Sequence, residues 1–237
     1  MYSIYRTMTK LTIGVAVPCY KGHIHLLPNL LASLEEQTLK PDMVIVSCSS
    51  STSSDVSYSV SHYSFPVHII FHKEKKCEAE NRNIAGSFLM TDIITFIDAD
   101  DTIHPQRLEI IEDCFQNHSV KILIHSLEQD PAKPYEHYER PFQFDMNCLY
   151  RCPWGSLRHL NHSPDMAYLY HNGMSTVTRS IFDMIQFNES PELCGRIDTL
   201  FTTTIVTMFP NEHAYCHYRL CKYMPSGTGG VDTTTSI

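Results

Sequence analysis

The chain has 237 residues, of which 43% are hydrophobic and 19% are charged. This composition is typical of a soluble globular protein with one large domain or two small ones. A net charge of −8 and the lack of a basic stripe argue against a nucleic-acid partner. No apolar segment approaches the roughly 20 residues of a membrane-spanning helix, so we expect no transmembrane segment.

Nine cysteines are scattered along the chain, and several of them, such as Cys48 and Cys114, fall in predicted strands or helices. An odd number of dispersed cysteines indicates reduced thiols rather than a disulfide framework. The apolar run after Arg6 and Lys10 is only seven residues long, so we interpret it as a first strand and not as a signal peptide. Together these features predict a cytoplasmic protein.

Predicted strands and helices alternate in the first half of the chain. Strands are predicted at residues 11–17, 42–48, 67–71, 93–97 and 120–125, and helices at residues 23–38, at residues 77–90 and from Pro105 onward. This alternation predicts an α/β fold with a mostly parallel sheet and helices on both faces.

The alternation breaks after residue 125. Residues 126–165 are rich in Pro, His, Tyr and Asn and contain the single tryptophan, Trp154, which either stacks on an acceptor or anchors the loop. An edge strand is predicted at residues 173–179, a short helix from Ser180, a helix at residues 198–208 and a short strand at residues 215–219. The tail at residues 223–237 lacks core-forming residues and is predicted to be disordered, which leaves a single domain at residues 1–222.

The segment IITFIDADD at residues 93–101 ends in three carboxylates, Asp98, Asp100 and Asp101. Its short apolar run predicts a buried strand, whose carboxyl end is the edge at which open α/β sheets bind ligands. A divalent cation would relieve the repulsion among these like charges. The simpler alternative is an acidic turn that caps the next helix, because Asp is favourable at helix N-termini.

The order of the motifs resembles family 2 glycosyltransferases of the GT-A fold over roughly residues 11–220. VAVPCY resembles the opening motif of that family, SLEEQT with PDMVIVSCSSST resembles its second-strand motif, and AENRNIAG resembles its A-x-A-R-N-x-G segment. FIDADD matches the acidic signature, and GMSTVTRSIF, GRIDTLF and HYR resemble the later motifs. The sequence departs from the pattern at Lys21, at Ser47-Cys48 and at Ile197, which replace an Asn, an Asp pair and a Glu.

The resemblance implies an inverting transfer of a sugar from a nucleoside diphosphate donor to a glycan or other hydroxyl acceptor. It assigns donor binding to residues 11–125 and acceptor binding to residues 126–222. It also implies dependence on Mn²⁺ or Mg²⁺, which would neutralise the charge that develops on the leaving diphosphate.

The resemblance also assigns roles to individual metal-binding and catalytic residues. Asp100 is the expected direct metal ligand, and Asp98 binds the metal, a metal-bound water or the ribose. His217, beside Tyr218-Arg219, is the expected late metal ligand. Asp198 matches the general base that takes the acceptor proton, and the alternative is that it caps the following helix.

Four further residues are expected to bind the donor. Arg82 pairs with the donor phosphates or with the acidic strand end, because a guanidinium matches such oxygens. Tyr20 contacts the base or packs beneath it, and Pro18 sets the turn after the first strand. Ser47 occupies the position at which a family carboxylate helps to read the base, so base recognition is expected to differ.

Two other classes of function remain as alternatives. A nucleotidyltransferase would make the activated sugar, although PCYKGHIH is a poor match to the Gly-rich loop of that class. A non-catalytic relative would only bind nucleotide or glycan. The substitutions at Ser47 and Ile197 keep this alternative open, whereas the retained Asp98, Asp100 and Asp198 argue against it. A zinc site is also conceivable from the spacing of four residues near the end, His213, Cys216, His217 and Cys221, although it fits no standard zinc pattern.

Overall fold

A computed structural model describes residues 10–153, 155–160, 175–193 and 196–224. The first part contains β1 Ile13–Tyr20, α1 Leu27–Glu35, β2 Met43–Ser49, β3 Val67–Phe71, α2 Glu78–Phe88, β4 Ile93–Phe96, β5 Thr102–Ile103, α3 Arg107–Asn117 and β6 Ile122–Glu128. The second part contains β7 Asp145–Met146, β8 Leu149–Arg151, β9 Leu157–His159, β10 Ser175–Thr178, α4 Arg179–Met184, α5 Ile197–Met208 and β11 His213–Lys222.

One large sheet organises the described residues, with the strand order β3-β2-β1-β4-β10-β6-β11-β5 and with β7 paired to β11. Strands β1 to β4, β6 and β11 run in one direction, and β5, β7 and β10 run in the other. Strands β8 and β9 form a separate hairpin. The prediction of an α/β fold on a mostly parallel sheet, with helices around it, is therefore confirmed.

The prediction of an edge strand at residues 173–179 was wrong. Strand β10 lies in the middle of the sheet, antiparallel to both β4 and β6, and its first three residues are fully buried. Its alternating Ser, Thr and Val residues suggested a half-exposed strand. The Thr176 hydroxyl instead donates a hydrogen bond to Thr95 Oγ1 at 2.8 Å, which satisfies a buried polar group.

Residues 126–165 are not a continuous irregular loop. They contain the end of β6 and the strands β7, β8 and β9, which have only two or three residues each. Strands this short show no detectable period, which explains why the sequence did not predict them. Trp154 and the tail beyond Met224 lie outside the described residues.

Four phenylalanines connect β4 to the second half of the chain. The ring of Phe96 on β4 lies 5.8 Å from Phe182 on α4, 4.9 Å from Phe187 and 6.0 Å from Phe201 on α5. Phe187 and Phe201 stack at 3.9 Å. Because Phe201 is one helical turn beyond Asp198, this aromatic cluster holds the first turn of α5 beside the end of β4.

None of the helices in the described part of the chain combines the length and the apolar character that crossing a membrane requires. None of the eight cysteines that the structure describes forms a disulfide.

Gly86 lets α2 approach α4 closely. A Cβ atom at this position would lie 2.5 Å from Cζ of Phe182, which is fully buried and unable to move aside freely. Although Ala favours helix by about 1 kcal/mol over Gly, we expect Gly86→Ala to lower the free energy of unfolding by about 1–3 kcal/mol. Urea denaturation measures this change.

A double-mutant cycle with Phe182→Leu serves as the control. Because the smaller ring-free side chain makes room for the added methyl group, the double variant should lose less stability than the sum of the two single variants. A Gly86→Ala variant as stable as the wild type would contradict the close contact.

Candidate active site

Two of the three clustered aspartates remain accessible at the carboxyl end of β4. The side chains of Asp98 and Asp100 are 29% and 14% exposed, whereas Asp101 is buried. The backbone N–H of Asp101 donates to the Asp98 carbonyl at 3.1 Å and closes the turn. This turn therefore presents two carboxylates at the edge where open α/β sheets bind their ligands.

Arg82 on α2 is fully buried next to this turn. Its Nη2 lies 2.6 Å from Asp98 Oδ1, and it also forms an ion pair with Glu78, one turn earlier in the same helix. Its Nε and Nη1 atoms are buried and have no hydrogen-bond acceptor in the described part of the chain. A guanidinium in such a place requires nearby negative charge.

Asp198 supplies part of that charge from a distant part of the sequence. Burial by itself disfavours the charged guanidinium, but Asp98, Glu78 and Asp198 outweigh this effect and raise the pKa of Arg82. Asp198 lies in the first turn of α5, whereas the N-cap position is occupied by Arg196. The alternative in which Asp198 caps its helix is therefore wrong, and its role as a base stays a prediction.

Asp101 does not cap a helix either. Helix α3 begins at Arg107 with Gln106 at its N-cap, and strand β5 intervenes between Asp101 and this helix. Asp101 accepts a hydrogen bond from the backbone N–H of Met224 at 3.2 Å. Burial, together with the charges of Asp98 and Asp100, raises its pKa to about 8, so this third carboxyl adds little negative charge at neutral pH.

Tyr20 and His23 line the same edge as Asp100. The Nδ1 atom of His23 lies 3.9 Å from Asp100 Oδ2, and its ring centroid is 4.2 Å from that of Tyr20. Tyr20 is the last residue of β1, and 38% of its surface is exposed. An aromatic side chain is thus available next to the acidic turn, and its contact with a nucleotide base stays a prediction.

Pro18 does not form the turn that was predicted after the first strand. It lies inside β1, opposite Ser47 of β2, and the strand continues to Tyr20. Strand β4 pairs with β1 only as far as Ala16, so the missing N–H of Pro18 lies beyond the last paired residue on that side.

Ser47 is fully buried on β2. Its hydroxyl donates to Asn81 Oδ1 at 2.9 Å and lies 3.2 Å from His72 Nε2, so it ties β2 to helix α2 and to the residue after β3. Its predicted part in reading the base is not tested by this arrangement. In the neighbouring loops, Lys21 forms an exposed ion pair with Asp55 at 2.7 Å.

His217, the predicted late metal ligand, lies on β11 with Nε2 2.8 Å from Oδ2 of Asp145 on β7. Its part in a donor metal site stays a prediction. The zinc site that was considered for His213, Cys216, His217 and Cys221 was wrong. In the described part of the chain these four residues form no ligand cluster, and His213 Nε2 accepts a hydrogen bond from the backbone N–H of Leu149.

Sequence reasoning missed three residues that contact the predicted site residues or their partners. Glu78 pairs with Arg82, Asp145 contacts His217, and His159 contacts Asp145. Glu78 was detectable, because it lies four residues before Arg82 on one helix face. Asp145 and His159 fall in the segment without a clear period, where no local signal distinguished them.

The carboxylates of Asp98 and Asp100 fit a hard divalent cation such as Mg²⁺ or Mn²⁺. Oxygen ligands suit these ions, which take one or two protein carboxylates and leave further positions to water and phosphate. Burial is the main cause of the raised pKa of Asp101, and the charges of Asp98 and Asp100 add to it, so a cation at this turn would offset that part of the shift that comes from like charges.

The mostly parallel sheet and the acidic turn at its carboxyl edge place the molecule in the GT-A class of α/β folds. The model of the family described as Glycosyl transferase family 2 matches residues 14–182. Since this match covers more than half of the sequence, the chain belongs to glycosyl transferase family 2.

Individual relatives agree with this assignment. An uncharacterized glycosyltransferase from Haemophilus influenzae is 31% identical over 123 residues, which are 51% of this chain and 39% of that protein. Among solved structures, TarS 1-349 from S. aureus in complex with UDP-GlcNAc has a TM-score of 0.66 and 16% identity, with 96% of this chain and 62% of that chain covered. Mannosyltransferase PcManGT from Pyrobaculum calidifontis, in complex with GDP-Man and Mn²⁺, has a TM-score of 0.63 and 17% identity, with 93% and 59% covered.

At such identities the two structures establish the fold alone. The chain spans less than two thirds of the length of each of these three proteins.

The contacts of Asp98 and Asp100 predict different effects on stability. Asp98→Asn removes a charged partner of a buried guanidinium and should lower the free energy of unfolding by about 1–3 kcal/mol. Asp100→Asn removes a carboxylate whose nearby ion-pair partner is a histidine at 3.9 Å, and it relieves repulsion, so we expect a change within about 0.5 kcal/mol. Urea denaturation in the presence of a chelator compares the two variants, and a larger loss for Asp100→Asn would contradict this ranking.

Proposed function

We propose that the chain transfers a sugar, with inversion at the anomeric carbon, from a nucleoside diphosphate donor to an acceptor hydroxyl. The observation that carries this proposal is the buried guanidinium of Arg82. This guanidinium interacts both with Asp98 in the acidic turn after β4 and with Asp198 in the first turn of α5, although the two aspartates are 100 residues apart in the sequence. Inverting transfer needs a donor-binding edge and a base across one cleft.

In the donor half, Asp98 and Asp100 would hold a Mn²⁺ or Mg²⁺ ion, which would neutralise charge on the diphosphate. Arg82 fixes the orientation of Asp98 through its 2.6 Å contact. Because Arg82 is buried, it is a positioning residue rather than a direct ligand of the donor. Tyr20 offers an aromatic surface for the base at the same edge.

In the transfer step, Asp198 accepts the proton of the acceptor hydroxyl as the hydroxyl oxygen attacks the anomeric carbon. The new carbon–oxygen bond forms while the bond to the donor phosphate breaks, and the electron pair leaves with the diphosphate. The positive charge of Arg82 offsets the repulsion that would otherwise arise between Asp198 and the acidic turn.

The acceptor binds to the second half of the chain. A cavity of about 280 Å³ lies there, lined by charged and aromatic side chains that include Glu128, Lys133, Tyr138, His217 and Arg219. Such a lining suits a polyhydroxylated acceptor such as a glycan, because it offers hydrogen-bond partners together with ring surfaces.

The metal requirement is tested by thermal unfolding with nucleotides. We expect UDP or GDP to raise the melting temperature of the wild type more strongly when Mn²⁺ is present, because a ligand of the folded state stabilises it. Asp100→Ala should abolish the Mn²⁺-dependent part of this shift. Glu139→Ala, which removes an exposed carboxylate elsewhere, is the matched control. An unchanged shift in Asp100→Ala would remove Asp100 from the metal site.

The base is tested by comparing binding with transfer. Asp198→Asn preserves the shape of the side chain but is unable to take a proton, so the transfer rate should fall by about 10²–10⁴-fold while the affinity for the donor is kept. The release of nucleoside diphosphate from a panel of donor sugars measures transfer. Full activity of Asp198→Asn would rule out its assignment as the base.

The same panel separates the alternative functions. Release of pyrophosphate would indicate a nucleotidyltransferase, and nucleotide binding without any release would indicate a non-catalytic relative. The membership of the chain in a transferase family favours release of the diphosphate.

A further inference from the structure

We propose a second metal site in the acceptor half, formed by Asp145, Cys148, His159 and His217 and suited to Zn²⁺. The site is separate from the acidic turn, and its existence does not depend on the proposed transferase activity.

The ligand atoms of this cluster already converge. A carboxylate oxygen of Asp145, the sulfur of Cys148 and a ring nitrogen of His159 lie within 4.8 Å of one another. Oδ2 of Asp145 lies 2.9 Å from Nε2 of His159 and 2.8 Å from Nε2 of His217. Ligands around a tetrahedral zinc ion are roughly 3–4 Å apart, so Asp145, Cys148 and His159 would need only small movements, and His217 already contacts one of these three ligands.

The backbone holds these side chains in place. Asp145 on β7 lies opposite Tyr215 on β11 in the antiparallel pair of these strands. Tyr215 is two residues before His217 on β11. Asn147 has a positive φ of 53°, which allows the chain to turn sharply between β7 and β8. The backbone N–H of Leu160 donates to the Cys148 carbonyl at 2.8 Å, which fixes Cys148 next to the end of β9.

The cluster has a closed side and an open side. Cys148 and His159 are buried, whereas the side chains of Asp145 and His217 are 41% and 48% exposed. The ring of His159 packs edge-on against Tyr215 at 5.5 Å, which sets its orientation. A metal ion thus has a route of entry from solvent toward two ligands that are fixed in the protein interior.

The donor set predicts the kind of metal. Two imidazoles, one thiol and one carboxylate form the mixed N, S and O set that zinc accepts in tetrahedral sites. Mg²⁺ and Mn²⁺ prefer oxygen ligands, which Asp98 and Asp100 offer instead. Binding releases the proton of the Cys148 thiol, because the thiolate is the ligand.

This assignment gives His217 a different metal from the one that the family resemblance implied. One imidazole nitrogen is unable to serve both sites at once, so the two assignments exclude each other. Zinc at the cluster would join β7 and the β8–β9 hairpin to β11. Because His217 also lines the cavity of the acceptor half, the zinc site would lie next to that cavity.

The test uses the full chain with Asp98→Asn and Asp100→Asn, so that a metal at the acidic turn does not contribute. After treatment with a chelator, one sample of the protein is titrated with Co²⁺ and followed by absorption spectroscopy. A second sample is incubated with Zn²⁺ and passed through gel filtration, and the zinc that it retains is measured by mass spectrometry. We expect one equivalent of zinc and a near-ultraviolet thiolate-to-cobalt charge-transfer band. Cys148→Ser should remove this band.

Variants of the exposed ligands keep the test independent of folding. Asp145→Asn and His217→Gln should each weaken zinc binding by roughly tenfold or more, and circular dichroism should confirm that both fold. The matched controls are His68→Gln, an exposed histidine on β3, and Cys77→Ser, a thiol outside the cluster, and both should bind zinc as the parent does. The absence of the thiolate band, or zinc retention unaffected by Asp145→Asn and His217→Gln, would overturn the proposal.

Discussion

The described structure depends on the buried positive charge of Arg82, which is neutralised both by a carboxylate of its own helix and by carboxylates from distant parts of the chain. Arg82 is fully enclosed, and its surrounding carboxylates come from α2, from the turn after β4 and from the first turn of α5. An uncompensated charge in the protein interior is strongly destabilising. The packing of Phe201 against Phe96 therefore has a second effect besides core formation, because it positions the first turn of α5, and with it Asp198, near the guanidinium.

The elements with strong local patterns were predictable from the sequence. Continuous apolar runs identified the parallel strands, and helix α2 was indicated by small and apolar residues on one face. Strand β10 was misjudged because its threonines suggested exposure, whereas Thr176 and Thr95 satisfy each other in the middle of the sheet. Such a pairing depends on the register of β4 and β10, whose two threonines are 81 residues apart, and no local pattern contains it.

Some residues of the candidate site were predictable from local sequence patterns, and others were not. The acidic turn stands out by charge alone, but only the family resemblance related Asp198 to it. Glu78 was readable from its helical spacing to Arg82. The contacts of Asp145 and His159 were not, because these residues lie in strands of two or three residues, and tertiary structure sets the pairing of β7 with β11 and of β9 with β8.

Strand β11 connects the two proposed metal sites physically. His217 and Cys221 are four residues apart, or roughly 13 Å along an extended strand, and Cys221 pairs with Ile103 just after the acidic turn. The register of β11 against β6 shifts between Cys216 and Arg219, which is the stretch that contains His217. A strand with such an irregularity is less constrained by its ladder of hydrogen bonds. A metal that fixes His217 to Asp145 and His159 would therefore restrict the same strand that pairs with β5 just after the acidic turn.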